Sequence, residues 1–368
     1  MRRRLFQAAS FLLAAVLLAL ALYGADLDRI VEAFQQADYR WLPPLILLAI
    51  VGNLFRAWRW NVLIDALPPL SDSDVSREEA AASNTLEASF SSVMIGYMIN
   101  YVAPRMGEIA RTANMAARTP YRFSSLLGTV VSERIFDTAV LGLALLSAVA
   151  LLSDRLSILQ TQFFGPAWDT LTSLPLGWLL GGLLGLVVVV GVSIALVQQT
   201  NTKDSALGRF WSQTVKPTLT SFRHGMGTLL LSPRRGALLL STVGMWGAYL
   251  FMAYIPFRML DLAEPYGIGI GDAWALMAIG ALGLLVPTPG GIGSYHYITE
   301  QALVHLYDVP SEAALTYAVL AHGAQLVFYV LAGGAAMLYQ GTGAETFFPS
   351  RTETPTPAGD DLPSRASQ

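Results

Sequence analysis

The stretch VPTPGGIGSYHYITE, residues 286–300, interrupts an apolar run of the sequence. Two prolines and three glycines fall between Pro287 and Gly293, and these two residue types disfavour a helix interior. A broken backbone is tolerated inside a membrane only where protein or a water-filled cavity covers its freed polar groups. We therefore expect the apolar zone 272–307 to be a discontinuous helix or a re-entrant hairpin.

A second apolar zone, 85–117, is broken in the same way at APRMGE, from Ala103 to Glu108. In both zones the arms are shorter than the roughly 20 residues that a full span needs. The other apolar runs predict full spans at residues 5–24, 41–65, 122–152, 174–198, 236–260 and 313–340. The fold class is thus an all-α polytopic membrane protein with six full spans and two broken segments, or about eight helices if each broken segment is counted as a span.

Composition supports a membrane protein and excludes several kinds of site. Of 368 residues, 54% are hydrophobic and 13% are charged, against about 25% charged in soluble domains. The absence of cysteine excludes disulfides, thiol catalysis and Cys-ligated metals. No phosphate-binding P-loop or dinucleotide fingerprint occurs, so we expect no cofactor and no nucleic-acid partner. The four histidines have no metal-ligand spacing, so no metal site is expected: His224, His296, His305 and His322.

Charged residues are distributed unevenly between the loops. Arg2, Arg3 and Arg4 place the N-terminus in the cytoplasm under the positive-inside rule. Segments 105–122 and 199–235 are basic, whereas 25–40 and 258–272 are acidic and 153–173 is near neutral. All basic segments fall on the cytoplasmic side only if each broken zone enters and leaves the membrane on the same side. The apolar run from Leu5 to Tyr23 could be a signal peptide, but its length favours a retained first helix.

The order helix, helix, broken segment, helix occurs twice, in about 1–152 and about 174–340. Each half has three full spans, an odd number, so the halves have opposite orientation. Inverted repeats with broken helices at matching positions are a known transporter layout. The alternative is an ordinary eight-helix protein with proline kinks. We expect one transmembrane domain, 1–340, followed by a disordered, polar and proline-rich tail, 341–368.

The segment NYVAPRMGEIAR places charges beside the first break: Asn100, Arg105, Glu108 and Arg111. A charged side chain near the bilayer centre costs about 2.5–3.5 kcal/mol even on lenient scales. Such charges are retained where they form ion pairs, contact water or serve a function. The planar guanidinium of arginine suits the binding of phosphate. The alternative is that this segment is the cytoplasmic end of a helix with arginines that snorkel.

The segment SERIFDTAV carries Glu133, Arg134 and Asp137 inside an apolar helix. Glu133 and Asp137 are four residues apart and share a face, while Arg134 points elsewhere. The carboxylates either line a lipid-binding cavity or form ion pairs that lock helices together. Their candidate partners are Arg105, Arg111, Arg56 and Arg59.

Arg56 and Arg59 lie near the end of the second predicted span, within NLFRAWRWNVLI. Two tryptophans accompany them, and tryptophan is enriched at membrane interfaces. We therefore interpret both arginines first as cations that snorkel to the interface.

The second break holds Pro289, Gly290 and Gly291, with Glu300 further along. Tandem glycines can expose backbone amides to a phosphate, and a helix that restarts after Gly293 would present its N-terminus to an anion. The alternative role of these glycines is close helix packing.

Together these segments resemble the lysylphosphatidylglycerol synthase/flippase transmembrane domain family. The resemblance rests on RAWRW, NYVAPRMGEIAR, ERIFD and PTPGGIG followed by Glu300, in that order, and covers about residues 5–340. Glu300 follows the glycines later than the glutamate of the family does. The resemblance implies a polar-lipid translocation module in a bacterial or archaeal inner membrane. Some relatives carry a soluble aminoacyl-transferase domain after the membrane part; this chain ends in a short polar tail, so we expect no such activity.

The leading hypothesis is a multi-pass transporter of the cell (inner) membrane that moves an anionic or glycosylated lipid, such as a phospholipid or a lipid-linked glycan. Arg105 and Arg111 would bind the phosphate, and Glu108, Glu133 and Asp137 would line the path. One alternative is a membrane-embedded enzyme that acts on lipid headgroups, with carboxylates and His296 as acid and base. Another is a non-transporting partner that recruits a lipid synthase through the basic 199–235 segment and the C-terminal tail.

Overall fold

In a computed structural model of the chain, the described residues are 2–67, 76, 79, 82–155 and 234–341. They form α-helices without any β-strand. The helices are α1 (Arg2–Leu22), α2 (Leu27–Gln36), α3 (Leu42–Ile64), α4 (Leu86–Val102), α5 (Gly107–Ala116), α6 (Phe123–Leu151), α7 (Arg235–Met259), α8 (Ile270–Leu285), α9 (Ser294–Tyr307) and α10 (Ser311–Gln340).

Four of these helices, α3, α6, α7 and α10, are long and apolar enough to cross a membrane. Helices α1 and α2 pass the same test as a pair bent by 84°. The predicted spans 5–24, 41–65, 122–152, 236–260 and 313–340 each coincide with a helix of this set. The predicted span 174–198, most of the 153–173 and 199–235 segments, and the tail beyond Gly341 lie outside the described residues. The protein is an all-α polytopic membrane protein.

The acidic segment 25–40, expected to be a loop, contains the helix α2. The Asp26 carboxylate caps its N-terminus by accepting hydrogen bonds from the backbone N–H groups of Asp28 and Arg29. Such a cap satisfies donors that the first turn of a helix leaves unpaired. Polar and apolar residues recur at helical spacing in LDRIVEAFQQ, and Ile30 is buried, so one face of α2 packs on the protein.

Both broken zones are helical hairpins whose arms fold back on each other, as predicted. In the first hairpin, α4–α5, a Cβ added to Gly107 would lie 2.2 Å from the carbonyl oxygen of Gly96. In the second hairpin, α8–α9, a Cβ added to Gly283 would lie 2.7 Å from the Cα of Tyr295. Only glycine allows backbones this close.

The tips of the two hairpins meet. Arg105, at the first tip, has a φ of 64°, an uncommon conformation for a residue other than glycine. Its guanidinium donates a hydrogen bond of 2.7 Å to the carbonyl of Leu285, where α8 ends. Gly290, at the second tip, lies so close to the Tyr101 ring that an added Cβ would be 2.2 Å from it. Each break therefore packs against the other.

The packing of the described helices follows a reciprocal pattern. Helix α3 packs along α7, and α3 contacts α4 as α7 contacts α8. Helix α5 lies against α6, and α9 lies against α10. The first hairpin packs on α10 through α4, and the second packs on α6 through α8. These contacts are reproduced when α3–α6 are exchanged for α7–α10.

Candidate functional site

Glu133, on α6, lies at the centre of a buried cluster of charges. Its side chain has no exposed surface, and its Oε1 contacts Arg56 of α3 in a short ion pair. Its Oε2 lies 3.2 Å from Nη2 of Arg111, on α5 of the first hairpin. Nη2 of Arg59 is 3.5 Å from Oε1. A single carboxylate thus joins three helices.

Asp137 lies one turn further along α6 and faces the same two α3 arginines. Its Oδ2 is 3.3 Å from Nη1 of Arg56, and its Oδ1 is 2.7 Å from Nη2 of Arg59. Nη2 of Arg59 and Oδ1 of Asp137, the atoms of the shorter contact, have no hydrogen-bond partner. This contact is therefore an ion pair in which the N–H does not point at the oxygen. Glu133 and Asp137 together form a charged lock between α3 and α6.

The interpretation of Arg56 and Arg59 as snorkelling cations is wrong. They are 5% and 1% exposed because the carboxylates of α6 offset the large cost of desolvating a charge. Trp60, expected at the interface, is fully buried and donates its indole N–H to the hydroxyl of Thr129. The sequence signal that could have indicated this pairing is the spacing of the charges. Two arginines three residues apart on one helix and two carboxylates four residues apart on another each lie on one face, and the two faces can meet.

Arg134 lies on another face of α6, as predicted, and pairs with Glu108 of α5 at 3.0 Å. Beside this pair lies a cavity of about 10 Å³, the space of about one water molecule. It lies between the two arms of the first hairpin and α6. The lining residues are Val93, Gly96, Tyr97, Asn100, Gly107, Glu108, Arg111 and Arg134.

Three charged residues that line the cavity each carry a buried polar atom without a hydrogen-bond partner. These atoms are Nε of Arg111, Nε of Arg134 and Oε2 of Glu108. Buried polar atoms are nearly always paired in folded proteins, so an unpaired one calls for a water, an ion or a ligand. The guanidinium of Arg111 also lies over the Trp60 ring, 4.9 Å from its centroid.

The described part of the cluster carries a surplus of positive charge. Arg56, Arg59, Arg111 and Arg134 face Glu108, Glu133 and Asp137. Four arginines against three carboxylates give the cluster a net charge of +1, although each arginine has an ion-pair partner. Among the described residues, no group of three or more His, Asp or Glu side chains could hold a metal ion.

Of the remaining predicted site residues, one lines this cavity and the others lie elsewhere. Asn100 lines the cavity and accepts the backbone N–H of Gly107 at 2.8 Å, which closes the first hairpin. Arg105 is not part of the charged cluster, because its guanidinium is directed at the second hairpin. Pro289, Gly290 and Gly291 form the short turn at the tip of the second hairpin.

Glu300 lies on α9, apart from the arginines. Its Oε1 accepts a hydrogen bond of 2.7 Å from the Ser311 hydroxyl at the start of α10. Its Oε2 accepts one of 2.8 Å from the amide of Gln301. His296, four residues before Glu300 on the same helix, stacks on His322 of α10, with ring centroids 5.1 Å apart. In this arrangement Glu300 joins the second hairpin to α10.

Comparison with known proteins identifies the family. Residues 7–333 match the sequence profile of the lysylphosphatidylglycerol synthase TM region, and the chain belongs to that family, which confirms the resemblance drawn from its motifs. It is also similar to the protein named Glycosyltransferase AglD from Haloferax volcanii, with 22% identity over 359 residues. That match covers 91% of this chain and 54% of the relative. The chain thus spans about half the length of the curated relative that it matches. No solved structure matches it.

Proposed function

We propose that this member of the family is a transporter that moves a polar lipid with an anionic phosphate across the membrane. The observation that carries the proposal is the surplus positive charge beside the cavity. A net positive charge is costly in a bilayer, and an anionic headgroup would balance it. Arginine offers two parallel donors to a phosphate.

The residues divide into two roles. Arg56, Arg59, Glu133 and Asp137 hold helices together, because they form buried ion pairs with one another. Arg111, Arg134 and Glu108 line the cavity and retain unpaired polar atoms. We assign headgroup binding to the two arginines of this second group, with Asn100 beside them; Glu108 is the carboxylate that pairs with Arg134 and would yield it to a headgroup, and Arg105 and Glu300 lie outside the site.

Alternating access follows from the arrangement of the two hairpins. The helix order and the reciprocal packing support an inverted repeat, which would place the first hairpin open to one side and the second open to the other. The cavity has room for about one water molecule, so a headgroup enters only when helices around it separate. The ion pair between Glu108 and Arg134 is partly exposed, so it would open more readily than the fully buried pairs.

The chemistry of the site accepts either a phospholipid or a phosphate-linked glycolipid. The family description, which names lysylphosphatidylglycerol synthase, favours a lipid substrate, and the name of the similar glycosyltransferase extends the candidates to lipids that carry a glycan. The basic N-terminus Arg2–Arg4 supports an N-terminus in the cytoplasm.

The proposal is tested by lipid translocation in proteoliposomes. Lipids labelled on the headgroup, with phosphatidylglycerol, phosphatidylcholine or a phosphate-linked sugar, are compared on the wild-type protein and on Arg111→Ala and Arg111→Lys. We expect movement of the anionic lipids by the wild-type protein and its loss in Arg111→Ala. Lysine keeps the charge opposite Glu133 but lacks the planar donor fork, so Arg111→Lys retains the fold and loses most of the transport.

Arg40→Gln is the matched control, because it removes an arginine from an exposed pair with Asp38. This variant should transport as the wild-type protein does. Equal transport by wild type and a folded Arg111→Ala variant would exclude Arg111 as a headgroup ligand. Folded wild-type protein that moves none of these lipids would contradict the transporter proposal for these substrates.

The name of the similar glycosyltransferase also favours a second candidate, an enzyme that alters the lipid headgroup. Acid–base work by His296 needs a group within hydrogen-bond reach. Within the described residues, His296 packs on His322 and Glu300 is held by Ser311 and Gln301. Mass spectrometry of lipids from expressing and non-expressing cells separates the candidates: a new headgroup mass indicates the enzyme, and an unchanged set of masses excludes it.

A further inference from the structure

Two imidazoles hold the tip of the second hairpin. The backbone N–H of Gly293 donates to Nδ1 of His296 at 3.3 Å, and the ring of His322, on α10, lies against the tip, where a Cβ added to Gly291 would be 3.4 Å from its Cε1. Gly290, Gly291 and Gly293 all have a positive φ, of 57°, 83° and 82°, which glycine adopts readily. The chain therefore turns sharply at the tip, and one histidine bonds to its backbone while the other packs on it.

The two rings form a buried pair. They stack with an interplanar angle of 18°, and His296 and His322 are 7% and 4% exposed. Tyr101 of α4 and Tyr295 of α9 are the other titratable groups that face His322. Neither imidazole has a carboxylate or an arginine as ion-pair partner among the described residues. Nδ1 of His322 is a buried atom without a hydrogen-bond partner.

The hydrogen bond to Gly293 depends on the protonation of His296. Because Nδ1 accepts an N–H, we assign the ring proton of neutral His296 to Nε2. A second proton on Nδ1 turns this acceptor into a donor that faces another donor. The bond to Gly293 is then lost, and a positive charge lies 5.1 Å from the neighbouring ring with no anion beside it.

The tip that would be released is the one that meets the first hairpin. Gly290 packs on the ring of Tyr101, and Leu285, just before the tip, accepts the guanidinium of Arg105. A change at His296 therefore reaches the contact between the hairpins through a few residues of backbone.

We infer that the stacked His296–His322 pair is a proton-binding site, and that a bound proton releases the tip of the second hairpin from the first. The site lies outside the charged cluster and goes beyond the lipid role proposed above. Its existence does not depend on which lipid is carried, or on transport at all.

The test is amide hydrogen exchange of the segment 286–297, measured by mass spectrometry on detergent-solubilised protein from about pH 8 to about pH 3. Rates are corrected for the intrinsic effect of pH on exchange, and segments of α10 serve as internal reference. We expect exchange at the tip to rise by about tenfold or more as the pair becomes protonated, while the reference segments stay protected.

The deciding variant is His296→Gln. Glutamine at the third helical position accepts the N–H of the residue before the helix in a capping box, but it does not titrate. We expect this variant to keep its tip protected at every pH. His305→Gln is the matched control, because His305 lies on the same helix but bonds to Gln301; it should retain the wild-type pH dependence.

Two results would overturn the inference: a wild-type tip whose corrected exchange does not change with pH, or a His296→Gln tip that still responds. If His296→Gln does not fold, His322→Gln replaces it. Removal of the stacked ring must then change the midpoint or the amplitude of the transition, and an unchanged transition contradicts a shared proton site.

Discussion

Glu133 is the counter-charge of three arginines, so Glu133→Gln should be among the most destabilising single substitutions in the chain. After the substitution, Asp137 still faces Arg56 and Arg59. Arg111 loses its ion pair and keeps only the face of Trp60. One buried ion pair is therefore broken with a charge left behind, which costs about 3–5 kcal/mol; the cation–π contact is present before and after the substitution and does not change this difference.

The assay is equilibrium unfolding in mixed micelles, followed by tryptophan fluorescence. Glu264→Gln is the matched control, because the Glu264 side chain is 77% exposed in its pair with Arg258 and such surface pairs contribute about 0–1 kcal/mol. A double variant with Arg111→Leu removes the stranded charge and should cost less than the sum of its single changes, by about 0.5–3 kcal/mol. A Glu133→Gln loss no larger than that of the control, or strictly additive single changes, would refute the reasoning.

Two further substitutions test the hairpins. Gly107→Ala places a Cβ 2.2 Å from a backbone oxygen of the facing arm and should lower the unfolding free energy by about 1–3 kcal/mol. The control is Gly142→Ala, which has nothing within 4 Å of its Cβ and should be neutral or stabilising by about 0.5–1 kcal/mol. Equal stabilities of the two variants would contradict the close approach of the arms. Arg105→Ala removes the hydrogen bond to Leu285 and should speed amide exchange at both tips, while Arg40→Ala should not. Unchanged exchange in Arg105→Ala would show that this hydrogen bond does not hold the two tips together.

Local residue chemistry predicted the breaks in the fold. Proline and glycine at 287–293 and at 103–108 act on the backbone within a few residues, so both hairpins could be placed before any contact was known. The lengths of the apolar runs likewise located the spans, because a span needs a fixed number of apolar residues. The arrangement of the tips could not be predicted in this way, since Arg105 bonds to a carbonyl 180 positions away along the chain.

The site was predicted in part. The face that Glu133 and Asp137 share followed from helical periodicity, and Arg56, Arg59 and Arg111 were among the four partners considered. The sequence could not choose between them, because a pair of arginines beside tryptophans fits a membrane interface as well as a buried lock. Burial decides between these readings, and it depends on how α3 packs on α6, a contact between distant parts of the chain.

The central claim, that the cavity binds an anionic headgroup, is tested most directly by lipid binding to Glu108→Gln and Arg134→Gln. Both variants break the same ion pair, so loss of that pair would change the lipid affinity in the same direction in both. A direct interaction between the lipid and the removed charge would change the affinity in opposite directions. The measurement is the affinity for a short-chain phosphatidylglycerol in detergent by calorimetry, with phosphatidylcholine as reference.

A charge-assisted hydrogen bond contributes about 1.5–3 kcal/mol, which corresponds to at least a tenfold change in affinity. We predict tighter binding of phosphatidylglycerol by Glu108→Gln, weaker binding by Arg134→Gln, and little change for phosphatidylcholine in either variant. Shifts of the same sign in both variants, or no preference of the wild-type protein for the anionic lipid, would contradict the account.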